Sequence, residues 1–409
     1  MNGNILFIST RQIGQVDFTD PVFDGWDKFL FAAEEEVACL EHSLRSVFTK
    51  IFIADVASRD GVLTTYQHDS ALLLFQRLKL VSKPLAIVCL DEGNTDLACM
   101  LRNRLSAAFV YVDPNIFRNK ILMKRRLSGA GVRVPRFLEC ALKSEPPSWI
   151  DLQKDFGNKL VIKPVSSAGS NQVYIVDCVE DFKDAIETFK RMNLEFEIEE
   201  YIEGTLYHCD IALLSGRAIF NECVEYAAPT HCFQAGAPLG GIILPLIDSR
   251  RTNLISFALN ALQLLGASDG SYHTEIYITH SGELVFLETG ARPAGMIVTK
   301  MYEQATGINP LNLEVRIRTG YSVPLCLSKR STAFYLIYPK SKGVVKDVIE
   351  PPTVDGVNIH YTNTARVGDE HNGCSSNIDF TSWIVASGTR ESIEDLYSKM
   401  KLFKAISYH

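Results

Sequence analysis

The chain has 409 residues, a formal net charge of −7, and ordinary apolar (46%) and charged (22%) fractions. That describes a globular chain of about two to four packed units with a sizeable core. The acidic balance, with no Lys/Arg block, argues against nucleic acid as a partner.

The ten cysteines (39, 89, 99, 140, 178, 209, 223, 232, 326, 374) form no C-x-x-C pair. They read as free thiols of a reducing, cytoplasmic compartment rather than as disulfides or zinc ligands. MNGNILFIST has no basic segment and only a short apolar run, so it reads as a strand and not a signal peptide. No run is long enough to cross a bilayer, and there is no fixed-period repeat.

In chain order, Ile5 to Ile8 reads as a buried strand and Phe31 to Leu44 as a helix. Ile51-Phe52-Ile53 is a second strand, and Asp69 to Leu80 a helix. Pro84 opens a third strand, LAIVCL, which ends at Asp91-Glu92, and Leu97 to Leu105 is the helix after it. Strands alternating with helices predict a parallel sheet covered by helices. Such sheets place ligands beyond the carboxyl ends of their strands. Asp91 and Glu92 lie at such an end, where an acid either caps the next helix or contacts a substrate. Ile13 to Trp26 lacks periodicity and reads as a loop over that edge. No G-x-G-x-x-G follows the first strand, which argues against a nicotinamide site.

Asp113-Pro114 starts the next helix, with Pro in its first turn, and the helix runs through FRNKILMKRRLSGAG. Lys120 and Lys124, four apart, share one face and read as solvated. VRVPRFLEC then enters a strand. In LVIKPVSSAGSNQVYIV (160–176) a strand ends at Lys163-Pro164. A loop of Ser166, Ser167, Ala168, Gly169 and Ser170 follows, then a strand from Val173. Small residues let backbone N–H groups approach a phosphate, and a lysine can neutralise it. The Walker spacing is absent, so taken alone this segment reads as a plain hairpin.

FEIEEYIEG (196–204) alternates and then turns, and YHCDIALLSGRAIFNECVEY forms two strands about Ser215-Gly216. Antiparallel strands dominate from Leu160 to Leu287, interrupted by a helix from Asn253 to Leu265. APTHCFQAGAPLGGIILP is rich in Gly, Pro and Ala and long enough for an active-site loop.

His273 to Gly295, HTEIYITHSGELVFLETGARPAG, reads as two strands about a Ser281-Gly282 turn. It predicts Glu275 beside Glu288, with Arg292 close behind. Paired carboxylates repel unless a cation lies between them, and Mg²⁺ suits oxygen ligands shared with phosphate. Arg292 would hold a carboxylate or phosphate bidentately. The competing reading is an exposed hairpin with two solvated glutamates. A helix near Tyr302, the segment PLNLEVRIRTG and a mixed α/β tail from Arg330 complete the chain, and little function is legible in that tail.

The order of these parts resembles the ATP-grasp superfamily: Lys120 ahead of GAGVRVPRF, VIKP with its small-residue loop, EEYIEG, Glu275, then LETGARPAG. It is most similar to the carboxylate–amine ligases that join amino acids or peptides, and the resemblance covers nearly the whole chain. It implies an α/β and α+β, three-lobed architecture. The lobes are an N-terminal parallel α/β domain (1–112), a small lobe with the phosphate loop (113–200), and a C-terminal lobe with the metal site and a terminal α/β subdomain (201–409). The last two would clamp ATP between antiparallel sheets.

Residue by residue, the resemblance matches Lys120 and Lys163 to the phosphate-holding lysines and Ser166 to Ser170 to the loop over the phosphates. Glu199, Glu200, Tyr201 and Ile202 match the hinge that recognises adenine. The acid that contacts ribose falls near Leu206, so either Asp210 serves instead or the contact is lost. Glu275 and Glu288 match the ligands of two Mg²⁺, replaceable by Mn²⁺, and Arg292 the arginine that steadies the acyl phosphate. Many members carry Glu-x-Asn where this chain has Glu288-Thr289-Gly290.

The implied reaction forms an acyl phosphate from a small carboxylate and ATP, which an amine then attacks. The segments 166–170 and 235–241 would serve as lids. Candidate substrate residues are His273, Glu222, Glu225, Arg217 and Gly295, with His231 and Gln234 behind them. The resemblance also implies small-molecule substrates, a homodimer, and no nucleic-acid or membrane partner. Carboxylation, ligation to a thiol or carrier protein, and non-catalytic ATP binding are the other readings.

Overall fold

The computed structural model describes residues 3–77, 83–105, 113–141, 145–323 and 330–409. Four parallel strands open the chain, in the order Lys50–Ile53, Trp26–Ala32, Gly3–Ile8, Leu85–Cys89. Gly3–Ile8 is buried along its whole length, as expected of a parallel strand covered on both faces.

The helix expected over Phe31 to Leu44 is not there. Trp26–Ala32 is a strand, and only Glu34–Ala38 and His42–Arg45 are helical. Leu30 and Phe31 are almost fully buried inside the sheet, and an apolar run buried on both faces has no helical or strand period to read. Ile13 to Trp26 is a loop holding two 3₁₀ turns, as expected. The helix predicted from Asp69 runs His68–Arg77, and its expected end at Leu80 lies outside the described residues.

The helix expected from Asp113 begins only at Lys120, where Asn119 caps Leu122 N. A second sheet, antiparallel, orders Phe137–Cys140, Phe196–Glu200, Leu160–Pro164 and Tyr174–Val176. The helices Trp149–Phe156 and Val179–Met192 close one face of it around Phe189, Phe196 and Ile198.

The third sheet has eight strands, in the order Leu284–Gly290, Gly270–Thr279, Gly204–Leu214, Arg217–Tyr226, Leu239–Ile243, Thr332–Pro339, Phe380–Gly388, Asn358–Asn363. Ser249–Leu265 and Lys120–Gly129 pack on one face, and Val298–Thr306 with Pro310–Thr319 on the other. The tail from Arg330 is integral, because three of its strands complete this sheet. One sequence reading changes here. The Gly-rich stretch expected as a lid is strand from Leu239 onward. A Cβ on Gly240 would lie 2.1 Å from Tyr335 O, and one on Gly241 2.5 Å from Glu225 O, so close strand packing demands these glycines.

Pro310–Thr319 also couples the large sheet to the N-terminal one. Leu311 and Val315 belong to the N-terminal core. Asn309 and Asn312 donate to Gln15 O (3.0 Å) and Asp17 O (2.8 Å).

Candidate active site

The predicted hairpin forms. Gly270–Thr279 and Leu284–Gly290 pair antiparallel, with Glu275 directly opposite Glu288. Gly282 takes a positive φ of 86° in the turn. Glu275 Oε1 accepts from the Tyr226 hydroxyl (2.7 Å) and lies 3.8 Å from His273 Nε2. Burial pushes its pKa up, but His273 and Tyr226 outweigh that and lower it. Glu288 Oε2 lies 3.3 Å from Lys120 Nζ. Both carboxylates line both of two adjoining clefts.

The first cleft, about 670 Å³, lies between the small antiparallel sheet and the large one. Lys120, Lys163, Ser167 to Ser170, and Glu199 to Ile202 line it. Ser166 is exposed and does not. Lys120 Nζ donates to Ser167 O (3.0 Å), which fixes the small-residue loop over the cleft. Lys163 Nζ lies 2.7 Å from Glu199 Oε1 and 3.8 Å from Glu197 Oε1. Lys124, expected to be solvated, is fully buried and bonds to both Glu197 (2.7 Å) and Glu199. Two lysines and two glutamates thus neutralise one another out of water, the condition under which buried charge is tolerable. Burial would lower the Lys163 pKa, but Glu199 and Glu197 raise it above its usual value.

At the hinge, the Glu200 side chain turns to Arg133 and Arg136, so only its backbone edge is left for a ligand. Lys159 Nζ stands 4.0 Å from the centroid of the Tyr201 ring. His231 and Thr230 also reach this cleft. Asp210 lines neither cleft. Its carboxylate receives His208 Nδ1 and His273 Nδ1 at 2.7 Å each, and the Tyr302 hydroxyl. With its oxygens engaged it has no capacity for a ribose, so the substitution expected from the sequence is not supported.

The second cleft, about 950 Å³, opens beyond Glu275 and Glu288 toward the N-terminal sheet. Arg292, His273, Gly290 and Gly295 line it, as does Glu92 from the carboxyl end of Leu85–Cys89. Arg292 donates through Nε (2.6 Å) to Glu92 Oε2, and its Nη2 lies 2.5 Å from the same oxygen. Arg118 Nη1 is 3.8 Å from Glu92 Oε1. Burial raises the Glu92 pKa, but Arg292, Arg118 and Lys120 outweigh it and bring the value to about 2. The neighbouring Asp91 is a cap, accepting from Gly93 N (3.2 Å) and Asn94 Nδ2 (2.8 Å).

Glu222, Glu225 and Arg217 lie outside both clefts. Glu222 is buried against Arg330 (2.8 Å) and Arg251 (3.5 Å). Glu225 accepts from Arg250 Nη1 (2.7 Å) and the Tyr207 hydroxyl (3.1 Å), and Arg217 is exposed. Their nearness to the Gly-rich loop picked these residues, and it does not show which face the clefts occupy. Gln234 ties the small-residue loop rather than forming a pocket wall, its Nε2 donating to Ser170 O (3.2 Å) and Ser375 O (3.0 Å). Tyr226, Met296, Arg11 and Asn377 line the second cleft and were not read from the sequence. No local motif marks them, because each arrives from a different segment.

The donor set fits a hard cation. Glu275 and Glu288 supply oxygens at the junction of the clefts, and the remaining ligands would come from phosphate and water. Among the described residues no helix is long and apolar enough to cross a membrane, and the nine described cysteines are free.

A model of the ATP-grasp domain matches residues 156–300. The chain is 25% identical over 236 residues to the L-arginine-specific L-amino acid ligase of Bacillus subtilis, a match covering 56% of each chain. It is 26% identical over 314 residues to dapdiamide A synthase of Enterobacter agglomerans, covering 70% of each. The chain therefore spans about half the length of the first of these relatives. The solved L-amino acid ligase from Bacillus licheniformis superposes with a TM-score of 0.73 at 17% identity, covering 100% of this chain and 99% of that one. Residues 156–300 thus match an ATP-grasp domain, and the fold of the whole chain is similar to that of the solved L-amino acid ligase.

Proposed function

We propose that this chain is an ATP-dependent carboxylate–amine ligase that joins amino acids or small carboxylic acids through an acyl phosphate. One observation carries the reading. Glu275 and Glu288 face each other where the two clefts meet, with Lys120 and Lys163 on one side and Arg292 on the other. A nucleotide in the first cleft would thus present its terminal phosphate to a carboxylate in the second. The names of the relatives in Bacillus subtilis and Enterobacter agglomerans point the same way.

In the first step a carboxylate oxygen attacks the γ-phosphorus and ADP leaves. In the second an amine nitrogen attacks the acyl carbon, phosphate leaves, and the nitrogen loses a proton. The chain's share is positioning and charge neutralisation. Lys120 and Lys163 would hold phosphate oxygens, and Arg292 the transferred phosphoryl or the attacked carbonyl. The loop at Ser167 to Ser170 would keep water from the acyl phosphate. Glu199 to Ile202 would border the adenine. Mg²⁺, two ions held by Glu275 and Glu288 and replaceable by Mn²⁺, would supply further charge neutralisation when bound. The free cysteines support a cytoplasmic setting.

The test is phosphate release from Mg²⁺-ATP across a panel of carboxylates paired with amino acids, with mass spectrometry of the products. ADP and phosphate appearing only with a particular pair, and a product with the mass of their condensation, support the reading. AMP as product sinks the acyl-phosphate mechanism. Glu288→Gln should abolish turnover with the circular dichroism spectrum unchanged. Near wild-type rates in that variant would remove the metal assignment.

A further inference from the structure

Past Met296 the second cleft continues into a wider one of about 1230 Å³, between the carboxyl end of the N-terminal sheet and the large sheet. The two share Arg11, Gln12 and Met296. Ile337, Phe380 and Trp383 give the wide cleft an apolar, aromatic wall on the large-sheet side, and Ile378 beside them is exposed.

Two cations and two acids line it, and among the described residues none of the four pairs with another. Arg11 and Lys300 carry no carboxylate partner among the described residues. Arg11 donates Nη1 to Val62 O (2.6 Å), and Lys300 Nζ stands 5.6 Å from the centroid of the Trp383 ring. The two acids on the same walls are both engaged. Glu36 accepts from the Tyr66 hydroxyl and from Ala33 N (3.2 Å), and Asp91 caps Gly93 and Asn94. Gln12 Nε2 donates to Leu90 O (2.8 Å), and its buried Oε1 has no partner among the described residues at the junction of the clefts. What the cleft offers is therefore two cations without a carboxylate partner beside an aromatic surface.

We infer that this cleft takes the amine substrate, and that this substrate is an amino acid with a free carboxylate and a large apolar or aromatic side chain. Its carboxylate lies between Arg11 and Lys300, and its side chain lies against Phe380 and Trp383. Its amine points through the junction toward Arg292 and the acyl group. A polar or very short side chain leaves the aromatic wall uncovered, and an amine lacking a carboxylate leaves the two cations unpaired. The inference rests on the ligase reading for the word substrate, but the binding it describes is measurable without turnover.

The test is calorimetry of the full chain with L-phenylalanine, glycine and L-phenylalanine amide, alongside ADP release with the same three as acceptors. L-phenylalanine should bind at least about tenfold tighter than either of the others, which is roughly 1.4 kcal/mol. Lys300→Gln should erase the preference over the amide, and Trp383→Ala the preference over glycine. Lys300 lies outside the apolar core, so its variant keeps the test decisive should the tryptophan variant fold poorly. Equal binding of the three ligands, or preferences that both variants leave unchanged, overturns the inference whatever the enzyme does with ATP. Binding in the stated order without ADP from any pair upholds the cleft and removes the ligase reading. ADP formation with glycine as good an acceptor as L-phenylalanine does the reverse.

Discussion

Breaking the Glu92–Arg292 pair should weaken the contact between the N-terminal sheet and the large one, by an amount the structure sets. The two side chains are only 14% and 15% exposed. Glu92 falls from an ordinary 4.5 to about 2, because Arg292, Arg118 and Lys120 outweigh a burial effect of opposite sign. A fall of about 2.5 in pKa corresponds to roughly 3.4 kcal/mol at ~1.36 kcal/mol per unit. Losing one partner of a buried pair costs about 3–5 kcal/mol in general, so the two figures agree in order. The pKa is depressed in the folded chain, so this stability is fully present above pH 4.5 and is lost as pH falls toward 2. By pH 3.5 about 1.4 kcal/mol of it is gone.

The assay is urea unfolding of the ligand-free chain at pH 7 and pH 3.5, for wild type, Glu92→Gln, Arg292→Gln and the double variant. Trp26, packed against the N-terminal core, reports on that sheet by fluorescence. The expected coupling is about 2–3 kcal/mol at pH 7, with the gap between wild type and Glu92→Gln narrowing at pH 3.5. A coupling under about 0.5 kcal/mol, or a gap that widens in acid, refutes the reasoning.

Three further outcomes follow from the same geometry. Glu222→Gln should lower stability by about 1–3 kcal/mol, because Arg330 and Arg251 lose their counter-ion, while substrate KM stays within about twofold. A large rise in KM would return Glu222 to the substrate site. Gln234→Ala removes a tie from Ser170 and Ser375, so ADP formed in excess of condensed product should rise about threefold or more as water enters. Equal coupling in both proteins would show that the tie does not hold the loop. Gly290→Asn places a Cβ 3.0 Å from Glu92 Oε2 and should cost about 1–3 kcal/mol. In a Glu92→Ala background the same substitution should cost measurably less.

Much of the hairpin that carries Glu275 and Glu288 was legible because its strands and turn are local. Alternation through Glu275, Tyr277 and Thr279, with a Ser-Gly turn, brings Glu275 beside the end of the strand that carries Glu288, and a register shift between Glu275 and Ile276 sets the two directly opposite. Lys163 and its loop were legible for the same reason, each being fixed by the strand that carries it. The failures share a different cause. Phe29 to Ala32 is apolar on both faces, so no period separates strand from helix there. Lys124 looks solvated until the strand carrying Glu197 and Glu199 is brought across it. Glu222 and Asp210 are acids on suitable strands whose partners, Arg330, His208 and Tyr302, come from other segments or claim them first. A single sequence shows which residues carry charge and not which charges are already neutralised.

The same point accounts for the departure at position 290. Read along the chain, Glu288-Thr289-Gly290 is a motif with one residue missing, since many members carry Asn where this chain has Gly. In the folded chain the space beside Gly290 Cα is filled by the carboxylate of Glu92, with its oxygens 3.0 and 3.3 Å from where a Cβ would stand. That carboxylate is held there by Arg292, two residues beyond the glycine. Glycine at 290 and glutamate at 92 are therefore one structural choice made at two places almost 200 residues apart. A larger residue at 290 would push Glu92 away from Arg292, and Arg292 would lose the contact that fixes its guanidinium across the second cleft. The N-terminal domain thus contributes more than a wall to this site, because through Glu92 it sets the position of the arginine on which the proposed chemistry depends.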